Sequence, residues 1–252
     1  IQQGLPSKQL KAQRRMRPTI SAFVREQTYP DLEDHPSVHE YPNVRGVEQN
    51  VVFLDHDVPE DGSDHHNVDY SKTKSNQHEA RMAIEIVRHL LLQGYATSDI
   101  VVLTPYVGQL TLLTRTMQQQ LKGFSAYLSE KDIDEIEKMD ADDVDLTGIA
   151  DERNKNKAVR CSSVDNFQGE EAKLIVISLV RSNRVGNIGF LKEPQRVNVL
   201  LSRAKYGMFI VGNSRTLLAS KKGQHVWTPL LNRMKEQNQL LQGLPTVCHR
   251  HP

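Results

Sequence analysis

Two arginine-containing segments of this sequence have the composition of phosphate-binding sites. The first, Gln13-Arg-Arg-Met-Arg-Pro18, has three arginines within four positions before a proline. The second, residues 196–205, places Arg196, Asn198, Arg203 and Lys205 beside an apolar stripe. Because a guanidinium group can hold two phosphate oxygens at once, both segments suit a phosphate ligand. The alternatives are a solvated basic linker for the first segment and ordinary surface arginines for the second.

A third segment, residues 162–171, combines a turn with polar side chains. Gly169 allows the backbone to turn and to approach a ligand closely. Asp165, Gln168 and Glu171 supply polar groups around that turn. The pattern predicts contact with a ligand, and a hairpin connection with polar decoration is the alternative.

Apolar runs of strand length alternate with helical patterns along the chain. The predicted strands cover residues 50–54, 100–104, 158–164, 174–180 and 208–211. The predicted helices cover 76 to Gly94, Pro105 to about 121, 195–204 and 227–242, with an amphipathic stretch at 19–25. This alternation predicts an α/β fold with a parallel sheet flanked by helices. Each segment described above falls at a strand end or a helix start, where such sheets place ligands.

The composition narrows the class of protein. The chain has 252 residues, with 32 Lys and Arg against 31 Asp and Glu, so a nucleic-acid site must come from local clustering of charge. No apolar run approaches the roughly 20 residues of a membrane-spanning helix, and two cysteines cannot form a disulfide framework. We therefore expect an intracellular protein with no membrane partner. Residues 129–145 hold nine acids against two lysines, which predicts a solvated spacer.

Four motifs, in order along the chain, resemble the second RecA-like domain of superfamily 1 helicases in the Upf/senataxin-like branch. They are Gln13-Arg-Arg-Met-Arg-Pro18, Leu103-Thr-Pro-Tyr-Val-Gly-Gln109, Val164-Asp-Asn-Phe-Gln-Gly-Glu-Glu171 with Arg181-Ser-Asn183, and Arg196-Val-Asn-Val-Leu-Leu-Ser-Arg203 with Gly212-Asn213. The resemblance covers most of the chain. It implies a RecA-like, P-loop-NTPase-type sheet and the C-terminal motor domain of an ATP-dependent RNA helicase, with DNA as the alternative substrate.

The resemblance implies a role for each matching residue. The implied catalytic residues are Arg15, Arg203 and Gln168. The two arginines would reach the ATP γ-phosphate as arginine fingers, and the glutamine would couple ATP to nucleic acid. The implied nucleotide-binding residues are Arg14, Gly169, Glu171 and Arg196. The implied nucleic-acid-binding residues are Thr104, Pro105, Ser163 and Asn198. Arg14 stands where the family usually has a base-stacking tyrosine, and an arginine plane can also stack.

Two further stretches, residues 29–38 and 248–252, are similar to one subgroup, the NFX-type zinc-finger helicases of RNA silencing and RNA surveillance. This similarity implies a RecA-like domain over 1–244, with an acidic insertion at about 122–157, and the start of a truncated zinc-finger region over 245–252. Cys248 and His251 would then be partial ligands of a Zn²⁺ site completed in a longer parent, since zinc takes four ligands. The implied partners are single-stranded RNA or DNA and RNA-silencing proteins. The implied location is the nucleus or the cytoplasm, with the nucleus favoured.

One part of an ATPase is absent from the sequence. None of the 14 glycines is followed by lysine, so the chain has no P-loop. We expect the ligands of ATP and Mg²⁺ in a missing first RecA-like domain, and no hydrolysis by this chain alone. Two other functions are kept as alternatives. One is a non-catalytic RNA clamp or scaffold, and the other is a metal-dependent hydrolase using the histidines and aspartates of residues 55–66.

Overall fold

The computed structural model describes residues 11–62, 74–121, 123–138, 149–150 and 154–248. Its helices are α1 (Pro18–Gln27), α2 (Gln77–Leu92), α3 (Val107–Gln120), α4 (Glu130–Glu137), α5 (Pro194–Leu201), α6 (Ser214–Ala219) and α7 (Gln224–Glu236). Its strands are β1 (Ala12–Gln13), β2 (Glu33–Asp34), β3 (Val51–Asp55), β4 (Ile100–Thr104), β5 (Ser125–Tyr127), β6 (Ala158–Ser163), β7 (Ala172–Ser178), β8 (Ala204–Gly212) and β9 (Leu240–Leu241).

Seven of the described strands form one sheet in the order β5-β6-β4-β7-β8-β3-β9. Each pair of neighbours is parallel, which confirms the predicted α/β fold with a parallel sheet. Strands β1 and β2 form a separate parallel pair. Since β4 lies between β6 and β7, the segment 164–171 crosses over a strand, and the hairpin alternative for it is wrong.

Alternate residues of the central strands bury their side chains on opposite faces of the sheet. Phe53 and Ile177 pack on one face with α1, α5 and α7. Leu54 and Val102 pack on the other face with α2 and α3. Because helices cover both faces, the central strands are apolar along their whole length, as the sequence predicts for a parallel sheet.

The predicted limits of α2 are confirmed by its capping interactions. The Asn76 side chain accepts a hydrogen bond from the Glu79 backbone N–H at 3.1 Å, which satisfies one of the unpaired donors of the first turn. Gly94 follows the helix with a φ of +83°. This left-handed conformation ends helices and favours glycine.

Two other predicted helices extend too far. The predicted helix over 195–204 ends as α5 at Leu201, so Arg203 lies in the connection to β8. The predicted helix over 227–242 ends as α7 at Glu236, and Leu240 of β9 pairs with Phe53. Asn238 between them has a φ of +55°, a left-handed conformation that asparagine tolerates and a continuing helix excludes.

The prediction that residues 129–145 form a solvated spacer is wrong for residues 130–137, which form α4. Asp132 and Ile136 of this helix are buried, and the neighbouring strand β5 joins the sheet beside β6. The count of nine acids hid an amphipathic pattern in which one carboxylate faces inward. Residues 139–148 lie outside the described part of the chain, and the bounds of the predicted acidic insertion stay a prediction.

Asp132 ties α4 to the end of β6. Its carboxylate accepts hydrogen bonds from Ser162 Oγ at 2.8 Å, from the Ser163 backbone N–H at 3.0 Å and from Asn166 Nδ2 at 2.9 Å. The side chain has no exposed surface. Its removal therefore leaves several buried donors without an acceptor.

Replacement of Asp132 by alanine should lower the free energy of unfolding by at least about 2 kcal/mol, because each unsatisfied buried polar group costs about 1–3 kcal/mol. Urea denaturation measures this change. Asp134→Ala, at an exposed position of the same helix, is the matched control and should change stability by less than about 0.5 kcal/mol. Equal effects of the two variants would contradict the buried role of Asp132.

The two cysteines should differ in reactivity. Cys161 lies within β6 and is fully buried, which raises the pKa of its thiol to about 12, whereas Cys248 is exposed. Because the thiolate is the reactive form, a thiol reagent at pH 8 should label Cys248 within minutes and Cys161 only after denaturation. Mass spectrometry of the labelled native chain counts the modified thiols. Rapid double labelling of the folded chain would contradict the burial of Cys161.

Candidate functional site

A cluster of charged side chains lies at the amino ends of β7 and β8. Arg15 follows β1, Glu171 directly precedes β7, and Lys205 is the second residue of β8. The Glu171 carboxylate accepts hydrogen bonds from Arg15 Nε and Lys205 Nζ, each at 2.5 Å. The hydrogen bond from Lys205, followed by that from Arg15, lowers the pKa of the Glu171 carboxyl group.

Arg203 lies against this cluster but is only 9% exposed. Its Nε donates to the Val199 carbonyl at 2.8 Å and its Nη1 to the Glu170 carbonyl at 3.2 Å. Burial lowers the pKa of Arg203, and the positive charge of Arg15 nearby lowers it further. The fold therefore holds two like charges close together, at a cost that an anionic ligand would relieve.

Ser202 joins the two arginines. Its carbonyl accepts a hydrogen bond from Arg15 Nη1 at 3.2 Å. Its hydroxyl accepts one from Arg203 Nη2 at 2.7 Å. Both guanidinium groups thus keep a fixed position relative to one backbone segment, the short connection between α5 and β8.

Gln13 fixes the backbone that carries Arg15. Its Oε1 accepts hydrogen bonds from the backbone N–H groups of Arg15 at 2.8 Å and Met16 at 2.7 Å. Its Nε2 donates to Asp34 Oδ1 at 2.7 Å. The Arg17 backbone N–H donates to the Lys205 carbonyl at 3.0 Å, which docks the whole segment on β8.

The three arginines of the first segment have different environments. Only Arg15 enters the cluster with Glu171. Arg14 is exposed, and its carbonyl accepts a hydrogen bond from the Tyr41 hydroxyl at 3.2 Å. Arg17 is buried and its Nη2 donates to the Pro42 carbonyl at 2.6 Å, so it serves the fold.

The turn after β6 places Gln168 and Gly169 on the surface. Both residues are exposed, and Gly169 has a φ of +93° with open space where a Cβ atom would lie. Glycine is favoured at this position by the backbone conformation rather than by a close neighbour. Contact between this turn and a ligand stays a prediction.

Arg196 lies apart from the Arg15–Glu171 cluster, near the start of α5. Its Nη2 is 3.2 Å from Asp165 Oδ2, and its guanidinium group lies 4.3 Å from the centre of the Phe190 ring. The predicted helix over 195–204 contained both Arg196 and Arg203, but α5 ends before Arg203.

Three of the four predicted nucleic-acid-binding residues lie at the opposite edge of the sheet. Thr104 and Ser163 are paired residues at the carboxyl ends of β4 and β6, and Pro105 follows directly. Both paired residues are buried. Asn198 lies within α5, and its Oδ1 is buried without a hydrogen-bond partner among the described residues.

No group of three or more histidine, cysteine, aspartate or glutamate side chains in the described ranges could hold a metal ion. His56 is 3.0 Å from the buried Glu79 carboxylate, and Asp55 accepts hydrogen bonds from Ser214. These contacts give both residues a structural role. Cys248 is exposed, and His251 lies outside the described residues, so the partial zinc site stays a prediction.

A family model described as an AAA domain matches residues 1–215. The chain belongs to this family. It is 34% identical over its full length to mouse NFX1-type zinc finger-containing protein 1, and covers 11% of that protein. It is 34% identical over 168 residues, 67% of its length, to the Drosophila melanogaster regulator of nonsense transcripts 1 homolog, and covers 12% of that protein.

The Schizosaccharomyces pombe helicase required for RNAi-mediated heterochromatin assembly 1 is 29% identical over 97% of this AAA domain, which covers 20% of that protein. These matches confirm the resemblance to Upf-like superfamily 1 helicases that the four motifs indicated. A solved C-terminal domain of a possible DNA helicase from Lactobacillus plantarum WCFS1 matches 84% of this chain and 93% of its own, with a TM-score of 0.45 and 12% identity. Among the described helices of the AAA domain, none has the length and apolar character of a membrane span.

Sequence analysis of the AAA domain missed the residues that position the arginines. Gln13 and Ser202 are neighbours of the predicted arginines in sequence, but neither has a charge that marks it as a ligand. The sequence predicts Lys205 beside the apolar stripe, but its contact with Glu171 depends on the strand that begins at Ala204. Asp34 contacts Gln13 only through the pairing of β1 with β2.

Replacement of Glu171 by glutamine should lower stability more at pH 7 than at pH 3. The folded-state pKa of Glu171 is held below its ordinary value. Its ion pairs therefore stabilise the fold fully above about pH 4.3, the ordinary carboxyl pKa. This stabilisation is lost as the pH falls through the folded-state pKa. Because the side chain is 37% exposed, solvent screening limits the effect to less than about 1 kcal/mol, or about 2 °C in Tm.

Thermal denaturation at pH 7 and pH 3 measures this difference. Glu137→Gln, which removes an exposed carboxylate from α4, controls for the change in net charge. A Tm loss in Glu171→Gln that is the same at both pH values would show that the ion pairs are not its cause.

Proposed function

We propose that this AAA domain is the C-terminal motor domain of an ATP-dependent RNA helicase, with DNA as the alternative substrate. In this proposal Arg15 and Arg203 act as arginine fingers on ATP, and the carboxyl edge of the sheet forms part of the single-strand groove. The observation that carries the proposal is the pair of guanidinium groups held together by Ser202 beside Glu171. Two confined positive charges are suited to a polyphosphate.

The residues present fit a phosphate ligand. A guanidinium group has five N–H donors. Arg15 donates hydrogen bonds from two of its nitrogen atoms, to Glu171 and to Ser202. Arg203 donates one hydrogen bond from each of its three nitrogen atoms. Donors are therefore left on both side chains for a phosphoryl group. A bound ATP would supply the charge that these donors stabilise as the γ-phosphoryl group is transferred.

Glu171 has two roles in this account. Its carboxylate holds Arg15 in place, and it is the residue expected near the ribose. Gln168 and Gly169 lie three and two positions before it, on the exposed turn. The same short segment runs from the carboxyl end of β6 to the amino end of β7, which supports a role for Gln168 in coupling ATP to nucleic acid.

The remaining parts of the ATP site would come from a first RecA-like domain. The P-loop and the acidic ligands of Mg²⁺ belong to that domain in the proposal, because the sequence has no glycine followed by lysine. The chain spans 11–20% of the length of the relatives described above. The names of the NFX1-type and RNAi-linked relatives support an RNA-silencing or RNA-surveillance role, a zinc site in the parent and work in the nucleus.

In a parent polypeptide containing both RecA-like domains, Arg15→Ala and Arg203→Ala should each lower RNA-stimulated kcat by about 10³-fold or more, because an arginine finger contributes about 10³–10⁵. Phosphate release measures the rate, and RNA binding without nucleotide should be unchanged. Arg88→Ala, on the exposed face of α2, is the control. Since Arg203 is buried, the Arg15 variant keeps the test valid if the Arg203 variant is unstable.

Full activity of a folded Arg15→Ala variant would contradict the arginine-finger role. If the parent does not hydrolyse ATP and its affinity for RNA does not change with nucleotide, the RNA-clamp alternative is favoured. The 252-residue chain alone should release no phosphate. RNA-stimulated release by the isolated chain that is lost in Arg203→Ala would contradict the need for a second domain.

A further inference from the structure

Two segments meet at the carboxyl edge of the sheet, beyond the ends of β7 and β8. One is the loop 181–192. The other, over 213–226, comprises α6, the turn after it and the first residues of α7. The Asn183 backbone N–H donates to Thr216 Oγ1 at 3.0 Å, and Thr216 Oγ1 donates to the Asn183 carbonyl at 2.9 Å. Gly186 packs so closely on the other segment that a Cβ atom there would lie 2.7 Å from the Ala219 carbonyl.

The surface of these two segments is strongly positive. Four exposed cations, Arg184, Arg215, Lys221 and Lys222, are called here the basic patch, and a fifth exposed cation, Lys192, ends the loop. Neither segment contains an aspartate or a glutamate. In the part of the chain that the structure describes, none of the four forms an ion pair. A chain with a net charge of only +1 thus concentrates four unpaired positive charges in one place.

The backbone that carries the patch is rigidly held. Val180 has a φ of +72°, which costs a β-branched residue roughly 1–2 kcal/mol, and its N–H donates to the buried Glu79 carboxylate at 2.7 Å. Arg181 forms a buried ion pair with Glu60 at 2.9 Å. Asp55, the acid that contacts α6, is hydrogen-bonded to Ser214. These contacts fix the loop while leaving the charges of the patch exposed.

The loop that carries Arg184 contacts the predicted groove. The Tyr106 hydroxyl, next to Pro105, donates to the Ile188 carbonyl of this loop at 3.1 Å. Apolar side chains of the same loop are also exposed, with Val185 66% and Phe190 44% exposed. Cations alternating with apolar and aromatic surface are typical of single-strand binding sites, in which the backbone is neutralised and bases or sugars make contact.

We infer that the basic patch binds the phosphodiester backbone of a single strand that continues past Thr104 and Ser163 along the carboxyl edge. The inference rests on the proposed function, because it extends the same groove. It assigns a binding role to four residues outside the helicase motifs. The occupant is a nucleic acid rather than an acidic protein segment, since the patch adjoins the nucleic-acid edge and presents apolar surface beside its charges.

The test compares two triple variants of the 252-residue chain. Arg184→Gln, Lys221→Gln and Lys222→Gln together remove three charges of the patch. Arg88→Gln, Lys157→Gln and Lys235→Gln remove three exposed charges elsewhere. Fluorescence anisotropy with a labelled single-stranded RNA of about 15 nucleotides, over a series of salt concentrations, gives the affinity and its salt dependence.

The patch variant should bind RNA at least about tenfold more weakly at low salt. The magnitude of its slope of log K against log salt should decrease by about 2, because three contacts are lost and each single-strand phosphate contact contributes about 0.7. The control variant should keep both values, and both variants should keep the wild-type Tm. A single-stranded DNA of the same length should respond in the same way, since the patch contacts phosphates.

An unchanged salt slope in the patch variant would overturn the inference. Equal competition by polyglutamate of the same charge would overturn it too, because the patch would then recognise any polyanion. If the unaltered chain binds no oligonucleotide, the inference about the basic patch is wrong, whatever the outcome for the proposed function. The proposed function has its own test in ATP hydrolysis by the parent and does not depend on these results.

Discussion

The organisation of this domain depends on the parallel direction of all the strands in its main sheet. Parallel strands place all their carboxyl ends at one edge and all their amino ends at the other. Thr104 and Ser163 therefore lie together at one edge, and Glu171 and Arg203 lie together at the other, directly before the paired residues Ala172 and Ala204. One constraint on topology therefore separates the predicted nucleic-acid-binding residues from the predicted arginine fingers.

Two connections join these edges. The segment 164–171 leads from the end of β6 to the start of β7, and α5 leads from the loop of the basic patch to Arg203. The carboxyl edge is thus linked to the arginines by eight residues or by one short helix. This arrangement supports the proposed coupling of ATP to nucleic acid.

The cluster of Arg15, Arg203 and Glu171 keeps two positive charges close together and leaves some of their hydrogen-bond donors unused. Arg15 and Arg203 repel each other, and this repulsion contributes to the lowered pKa of Arg203. Glu171 and Ser202 offset the cost, yet donors on both guanidinium groups are left for a ligand. A site built only for stability would pair each charge fully.

Periodicity and composition predicted most of the elements because the central strands and α2 are both buried and regular. The failures have local causes. Asn238 and Ser202 end helices without a glycine or proline to mark the end. One inward carboxylate, Asp132, could not be separated from its acidic neighbours by counting charge. The partners of Arg15 lie up to 187 positions away in sequence, so only the three-dimensional fold brings them together.

The most direct test of this account is a crystal structure of the two-domain parent with a non-hydrolysable ATP analogue and single-stranded RNA. The account predicts that Arg15 and Arg203 lie within about 3 Å of the terminal phosphate oxygens, at the amino edge of the sheet. It predicts that the RNA lies along the carboxyl edge, past Thr104 and Ser163. An analogue bound away from both arginines, or RNA lying across the amino edge, would contradict it.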